Sequence, residues 1–121
     1  MMSSDGALGP AFTVTSHIRG EAMVLSAAGE IDLLTAGKLD QAIAAVLAGT
    51  PPPPVLVVDL TDVTFLDSAG LGVLTHNHMA ASPLLALRVV ASNPFTLKPI
   101  RLTGLDRLLA LFDTVDEALA A

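Results

Sequence analysis

Residues 51–79, PPPPVLVVDLTDVTFLDSAGLGVLTHNHM, leave this chain few ways to fold. Residues 55–60 are an almost uninterrupted apolar, β-branched run, as in a central strand covered on both faces. Asp59, Thr61 and Asp62 are turn formers and predict a break there, after which residues 63–66 resume the apolar character. Asp67 and Ser68 are both good N-cap residues, and Leu71, Leu74 and Ala81 fall at helical spacing. The expectation is strand, short linker and helix start, with a hydroxyl at the helix mouth.

A helix N-terminus presents unpaired backbone N–H groups and a partial positive charge. A serine there caps the helix, or the site holds an anion, including a phosphate esterified to that serine. Ala69, Gly70 and Gly72 leave room for another protein to approach the backbone. The residues alone leave two readings of Ser68 open: a plain cap, the ordinary use of such a residue, and a phosphorylatable switch.

The segment VVDLTDVTFLDSAGLGVL resembles the signature of the STAS-domain anti-sigma factor antagonists of bacteria. The likeness covers nearly the whole chain from Phe12 onward. Gly29-Glu30-Ile31-Asp32 is similar to the family's G-E-[LI]-D element, and residues 103–108, TGLDRL, to its T-G-L-x-x-L/I segment. The resemblance implies that Ser68 is phosphorylated by an anti-sigma factor that is also a serine kinase. It implies a partner surface built from Asp32, Asp67, Ser68, Ala69, Gly70, Leu71 and Gly72, with Asp32 near the serine and helping to engage the kinase. Unmodified, the domain is expected to bind the anti-sigma factor and free a sigma factor; phosphorylation switches it off and a PP2C-type phosphatase resets it. No cofactor is expected, and the free domain is expected to be a monomer. The alternative is a non-switching STAS subunit of a lipid-transport or stress-sensing complex.

Composition agrees with a binding module. At 121 residues the chain is one domain, large enough for a core, and 52% of it is apolar. With four Phe, no Tyr and no Trp, that core is aliphatic. A net charge of −6 and few rings to stack bases argue against nucleic acid, and the same charge is repelled by anionic lipid headgroups. The absence of cysteine excludes disulfides and thiol chemistry and fits a cytoplasmic protein. No signal peptide is visible in the first residues. Residues 68–87 lack Asp, Glu, Lys and Arg, but Thr75, His76, Asn77, His78, Ser82 and Pro83 mark a soluble helix and turn, not a membrane span. An enzyme is not expected. The nucleophile elbow G-x-S-x-G is absent, no P-loop lysine follows Gly70-Leu71-Gly72, and His76 and His78 are two apart, so they share no helix face for a metal.

The remaining elements follow in order. Residues 1–10 read as a flexible leader and 11–121 as the domain. Residues 11–16 and 22–28 alternate as a strand pair, with His17 in the turn between them. Asp32 or Thr35 starts a helix carrying Ala36, Leu39, Ile43, Val46 and Leu47 on one face; Gly49 ends it, and Pro51, Pro52, Pro53 and Pro54 form a stiff spacer. Residues 84–91 read as a strand. Asn93-Pro94 starts a helix that Pro99 shortens, kinks or redirects, and Gly104 stops it. A last strand at 109–112 and a helix capped by Thr114 with Glu117 complete the order ββαβαβαβα. Helices alternating with apolar strands imply an α/β domain: a mixed, mainly parallel sheet of about five strands with about four helices.

Overall fold

The central strand forms on the β-branched-rich stretch at 55–66, and short caps switch the chain between strands and helices. The computed structural model describes residues 12–121; the expected leader at 1–10 lies outside them. Strands β1 (Phe12–Arg19) and β2 (Ala22–Ile31) pair antiparallel. Helix α1 (Ala36–Leu47) leads to β3 (Val55–Leu66), and α2 (Ser68–Ala80) to β4 (Ala86–Val90). Helix α3 (Pro94–Leu102), a 3-10 turn (Leu105–Arg107), β5 (Ala110–Phe112) and α4 (Val115–Ala120) complete the chain. The strand order is β1-β2-β3-β4-β5, and every pair but the hairpin is parallel. The expected mixed, mainly parallel α/β architecture and its element order are what the chain adopts.

One face of the sheet carries the larger core. Leu25, Leu56, Val58 and Leu60 meet Leu39 and Ile43 of α1, Leu71 and Leu74 of α2, and Ile100 of α3. The alternate residues Val24, Val57 and Val90 point the other way and are covered by Ala118 of α4. This two-sided burial is why residues 55–60 carry no clean alternation.

Two local expectations are corrected. His17 is paired with Val24 inside β1; the turn is only Gly20-Glu21, closed by the Arg19–Ala22 pair. Gly20 has φ 64°, the left-handed conformation a two-residue connection requires. The break expected at Asp59, Thr61 and Asp62 is absent, since β3 runs unbroken for 12 residues. Asp59 Oδ1 does accept from the Thr61 N–H, at 3.0 Å, but within a strand. The irregularity appears as register shifts against β2, between Ser26 and Ala28 and between Gly29 and Glu30. Asn93 Nδ2 donates to the carbonyls of Thr61 and Val63, at 3.0 and 3.1 Å, and so ties this part of β3 to the start of α3.

Pro99 lies inside α3, which nevertheless continues to Leu102. The Pro99 carbonyl accepts from the Thr103 hydroxyl at 2.8 Å, and Gly104 ends the turn at φ 76°. As expected, Asn93 caps α3 by accepting from Thr96 N at 3.1 Å, and Thr114 caps α4 by accepting from Glu117 N at 3.1 Å.

Candidate functional site

The C-terminal ends of β2 and β3 lie side by side, because Asp67 N–H donates to the Ile31 carbonyl at 3.1 Å. Asp32 follows β2 directly and Ser68 follows β3 after the single residue Asp67, so the two emerge at the same edge. Asp67 is extended, and its Oδ1 accepts from the N–H groups of Ala69 (2.9 Å) and Gly70 (3.3 Å). Of the two cap candidates, Asp67 is therefore the cap. Ser68 is the first residue of α2 and is exposed. Among the described residues, no group hydrogen-bonds its hydroxyl.

The small residues behind it divide by direction. Ala69 is half-buried against the core, and Gly70 and Leu71 are buried. A Cβ on Gly70 would sit 2.4 Å from Leu66 Cδ1 and 2.6 Å from Ile31 Cγ2. Gly70 thus lets α2 approach the strand ends. Gly72 is exposed, and a Cβ there would meet nothing within 4 Å. The open space offered to an approaching protein lies at Gly72.

Asp32 is half-exposed and turned inward on its own loop. Its Oδ1 accepts from Leu34 N (2.9 Å) and Thr35 N (3.1 Å). Thr35 is the residue before α1, yet its side chain makes no cap bond to the helix. Its hydroxyl donates to the Glu30 carbonyl at 2.7 Å and accepts from Asp32 N at 2.9 Å. The loop between them carries Leu33 and Leu34, which are 81% and 88% exposed. Two adjacent leucines between two cap-forming residues, outside the α1 periodicity, were the signal that could have found them.

The outer face of α2 continues from Ser68 through Gly72, His76 and Met79, all exposed and spaced four, four and three apart. His78 is half-buried on another face. No group of three or more His, Asp or Glu among the described residues could hold a metal ion. No helix among them is long and apolar enough to cross a membrane. Sequence reasoning passed over Asn77, which is 2% exposed. Its Nδ2 donates to Asp40 Oδ1 of α1 at 2.8 Å and to the Val73 carbonyl at 2.9 Å. It stands three residues after Leu74 on the buried side of α2, the position that marks it. This bond fixes the far end of the helix whose near end presents Ser68.

Residues 14–111 match the family model described as Mlab, STAS domain. The chain is 42% identical over 107 residues to the anti-sigma-F factor antagonist RsfB of Mycobacterium tuberculosis, covering 88% of this chain and 86% of that protein. The crystal structure of an anti-sigma factor antagonist from Mycobacterium paratuberculosis superposes with a TM-score of 0.84 at 41% identity, over 90% of this chain and 92% of that one. The unphosphorylated form of SpoIIAA shares the fold, with a TM-score of 0.67 at 21% identity over 90% and 93% of the two chains. The chain belongs to the STAS-domain family of anti-sigma factor antagonists. It is accordingly a regulatory binding protein, not an enzyme.

Proposed function

We propose that this domain binds an anti-sigma factor through the edge formed by Asp32 and the mouth of α2, thereby freeing a sigma factor. We further propose that phosphorylation of Ser68 by the anti-sigma factor, acting as a serine kinase, ends the association. The observation that carries this reading is the division of labour at the helix mouth. Asp67 makes the cap bonds, so the exposed Ser68 hydroxyl, which no group among the described residues engages, is available to a kinase. The 42% identity to an anti-sigma-F factor antagonist supports the partner class.

Phosphate adds about −1.5 to −2 charges and three acceptor oxygens. At the first position of α2 the helix dipole favours that charge by roughly 0.3–1 kcal/mol, so the fold is left as it is. An interface fitted to a small hydroxyl does not tolerate it. The phosphate stands next to the Asp67 carboxylate, and its desolvation and bulk oppose re-docking. A PP2C-type phosphatase in the cytoplasm restores the hydroxyl. The partner-facing set is Ser68 and Gly72 together with the loop that Asp32 opens and holds, with Asp67, Ala69, Gly70 and Leu71 supporting the helix mouth from within.

The test uses the purified anti-sigma-F factor of M. tuberculosis with ATP and magnesium. Mass spectrometry is expected to map a single phosphate to Ser68, and Ser68→Ala to remove it. Ser68→Glu is expected to weaken binding at least tenfold, about 1.4 kcal/mol. Phosphate on another residue, or Ser68→Glu binding like the wild type, overturns the reading. The match of residues 14–111 is to a STAS domain as such, and a second reading is a non-switching STAS subunit of a lipid-transport or stress-sensing complex. That reading expects Ser68→Glu to leave partner binding intact.

A further inference from the structure

The loop joining β2 to α1 exposes more apolar surface than its length requires. A strand-to-helix connection in water ordinarily turns polar side chains outward. Here Leu33 and Leu34 stand 81% and 88% exposed. The loop is not slack. Asp32 Oδ1 holds the N–H groups of Leu34 and Thr35, and the Thr35 hydroxyl bridges the Glu30 carbonyl and Asp32 N–H. Asp32 also accepts through its own carbonyl from Ala36 N at 2.8 Å. The backbone on either side of both leucines is therefore fixed, and the two side chains are held outward in a set geometry. An exposed apolar pair held this way marks a contact surface, and it loses little conformational freedom when a partner covers it.

Its position says which partner. The loop begins one residue after Ile31, whose carbonyl accepts from Asp67 N–H at 3.1 Å, so the leucines rise beside the mouth of α2. From this continuity we infer that Leu33 and Leu34 are the apolar anchor of the anti-sigma factor contact, seated in an apolar recess next to the surface that receives Ser68. This rests on the reading of the Ser68 edge as the anti-sigma factor contact. Asp32 then acts as a positioning residue. Its carboxylate oxygen is engaged by the loop's own N–H groups, and it serves binding by presenting the leucines, not by touching the partner. This differs from the kinase-engaging role that the family resemblance implies for it.

The two roles separate by substitution. Asparagine keeps a side-chain oxygen able to accept the same two N–H bonds but removes the charge; alanine removes both. Affinity is measured by calorimetry against the unphosphorylated complex with the M. tuberculosis anti-sigma-F factor. Leu33→Ser with Leu34→Ser is expected to weaken binding at least tenfold, with the unfolding midpoint unchanged or raised. Asp32→Asn is expected to stay within threefold of wild type, and Asp32→Ala to fall at least tenfold. Asp32→Ala combined with both leucine changes is expected to bind no more weakly than the leucine pair alone. The inference is overturned if the leucine pair binds within twofold of wild type, or if Asp32→Asn is as weak as Asp32→Ala. Failure of the underlying reading looks different: the wild type does not bind, or Ser68→Glu binds like wild type whatever the loop carries.

Discussion

Replacing Gly70 with alanine adds one methyl group where the structure has no room for it. The new Cβ would lie 2.4 Å from Leu66 Cδ1 and 2.6 Å from Ile31 Cγ2. The Leu66 methyl is the end of a side chain and can rotate. The Ile31 methyl sits on a β-branched carbon of a fully buried strand residue, with a stiff χ1, and cannot. Either α2 lifts from the strand ends or β2 yields. Overpacking of this kind costs roughly 1–3 kcal/mol, and the Ile31 contact puts Gly70→Ala at about 2–3. Alanine recovers about 1 kcal/mol of helix propensity, leaving a net loss of about 1–2 kcal/mol. Gly72→Ala is the matched control. It sits two residues on in the same helix, with open space around its Cβ, and gains the same roughly 1 kcal/mol without opposition. At about 4 °C per kcal/mol for a domain of this size, Gly70→Ala should melt roughly 4–8 °C below wild type and Gly72→Ala about 4 °C above it. Thermal unfolding followed by circular dichroism reads both. A Gly70→Ala midpoint equal to or above that of Gly72→Ala would refute the close helix-to-strand contact.

Asp67→Ala removes both cap bonds of α2 and should lower stability by about 1 kcal/mol in urea unfolding, whereas Ser68→Ala should change it by less than about 0.5 kcal/mol. Asn77→Ala strips the Asp40 carboxylate of its buried donor; because Asp40 is half-exposed and water can replace the amide, the expected loss is about 1–2 kcal/mol, read in the same assay. Pro99→Ala restores an N–H inside α3 and should raise the melting midpoint, by up to about 3 kcal/mol of stability.

The sequence carried the architecture because its signals were local. Asn93, Thr114 and Gly104 announce helix ends by chemistry that acts within three residues, and all three act there in the structure. Residues 55–60 declare a strand buried on both faces by composition alone. The misreadings arose where a distant partner decides. Asp59, Thr61 and Asp62 carry turn chemistry, yet β3 continues because a neighbouring ladder shifts register and Asn93, about thirty residues on, satisfies the freed carbonyls. His17 looked like a turn residue because nothing nearby shows that Gly20 alone supplies the reversal. At the site, Asp67 and Ser68 were equivalent cap candidates on paper. Only the extended backbone of Asp67 separates them. The inward aim of Gly70, against the outward aim of Gly72, depends on the helix rotation that Leu66 and Ile31 impose.

The separation of cap from hydroxyl has a practical side. Since the helix does not lean on the Ser68 side chain, that position accepts a foreign group, and the chain contains no cysteine to compete with one. Ser68→Cys therefore creates a unique thiol at the rim of the proposed contact. A dye attached there would report occupancy by a partner through its emission, on a domain whose folding the label leaves alone.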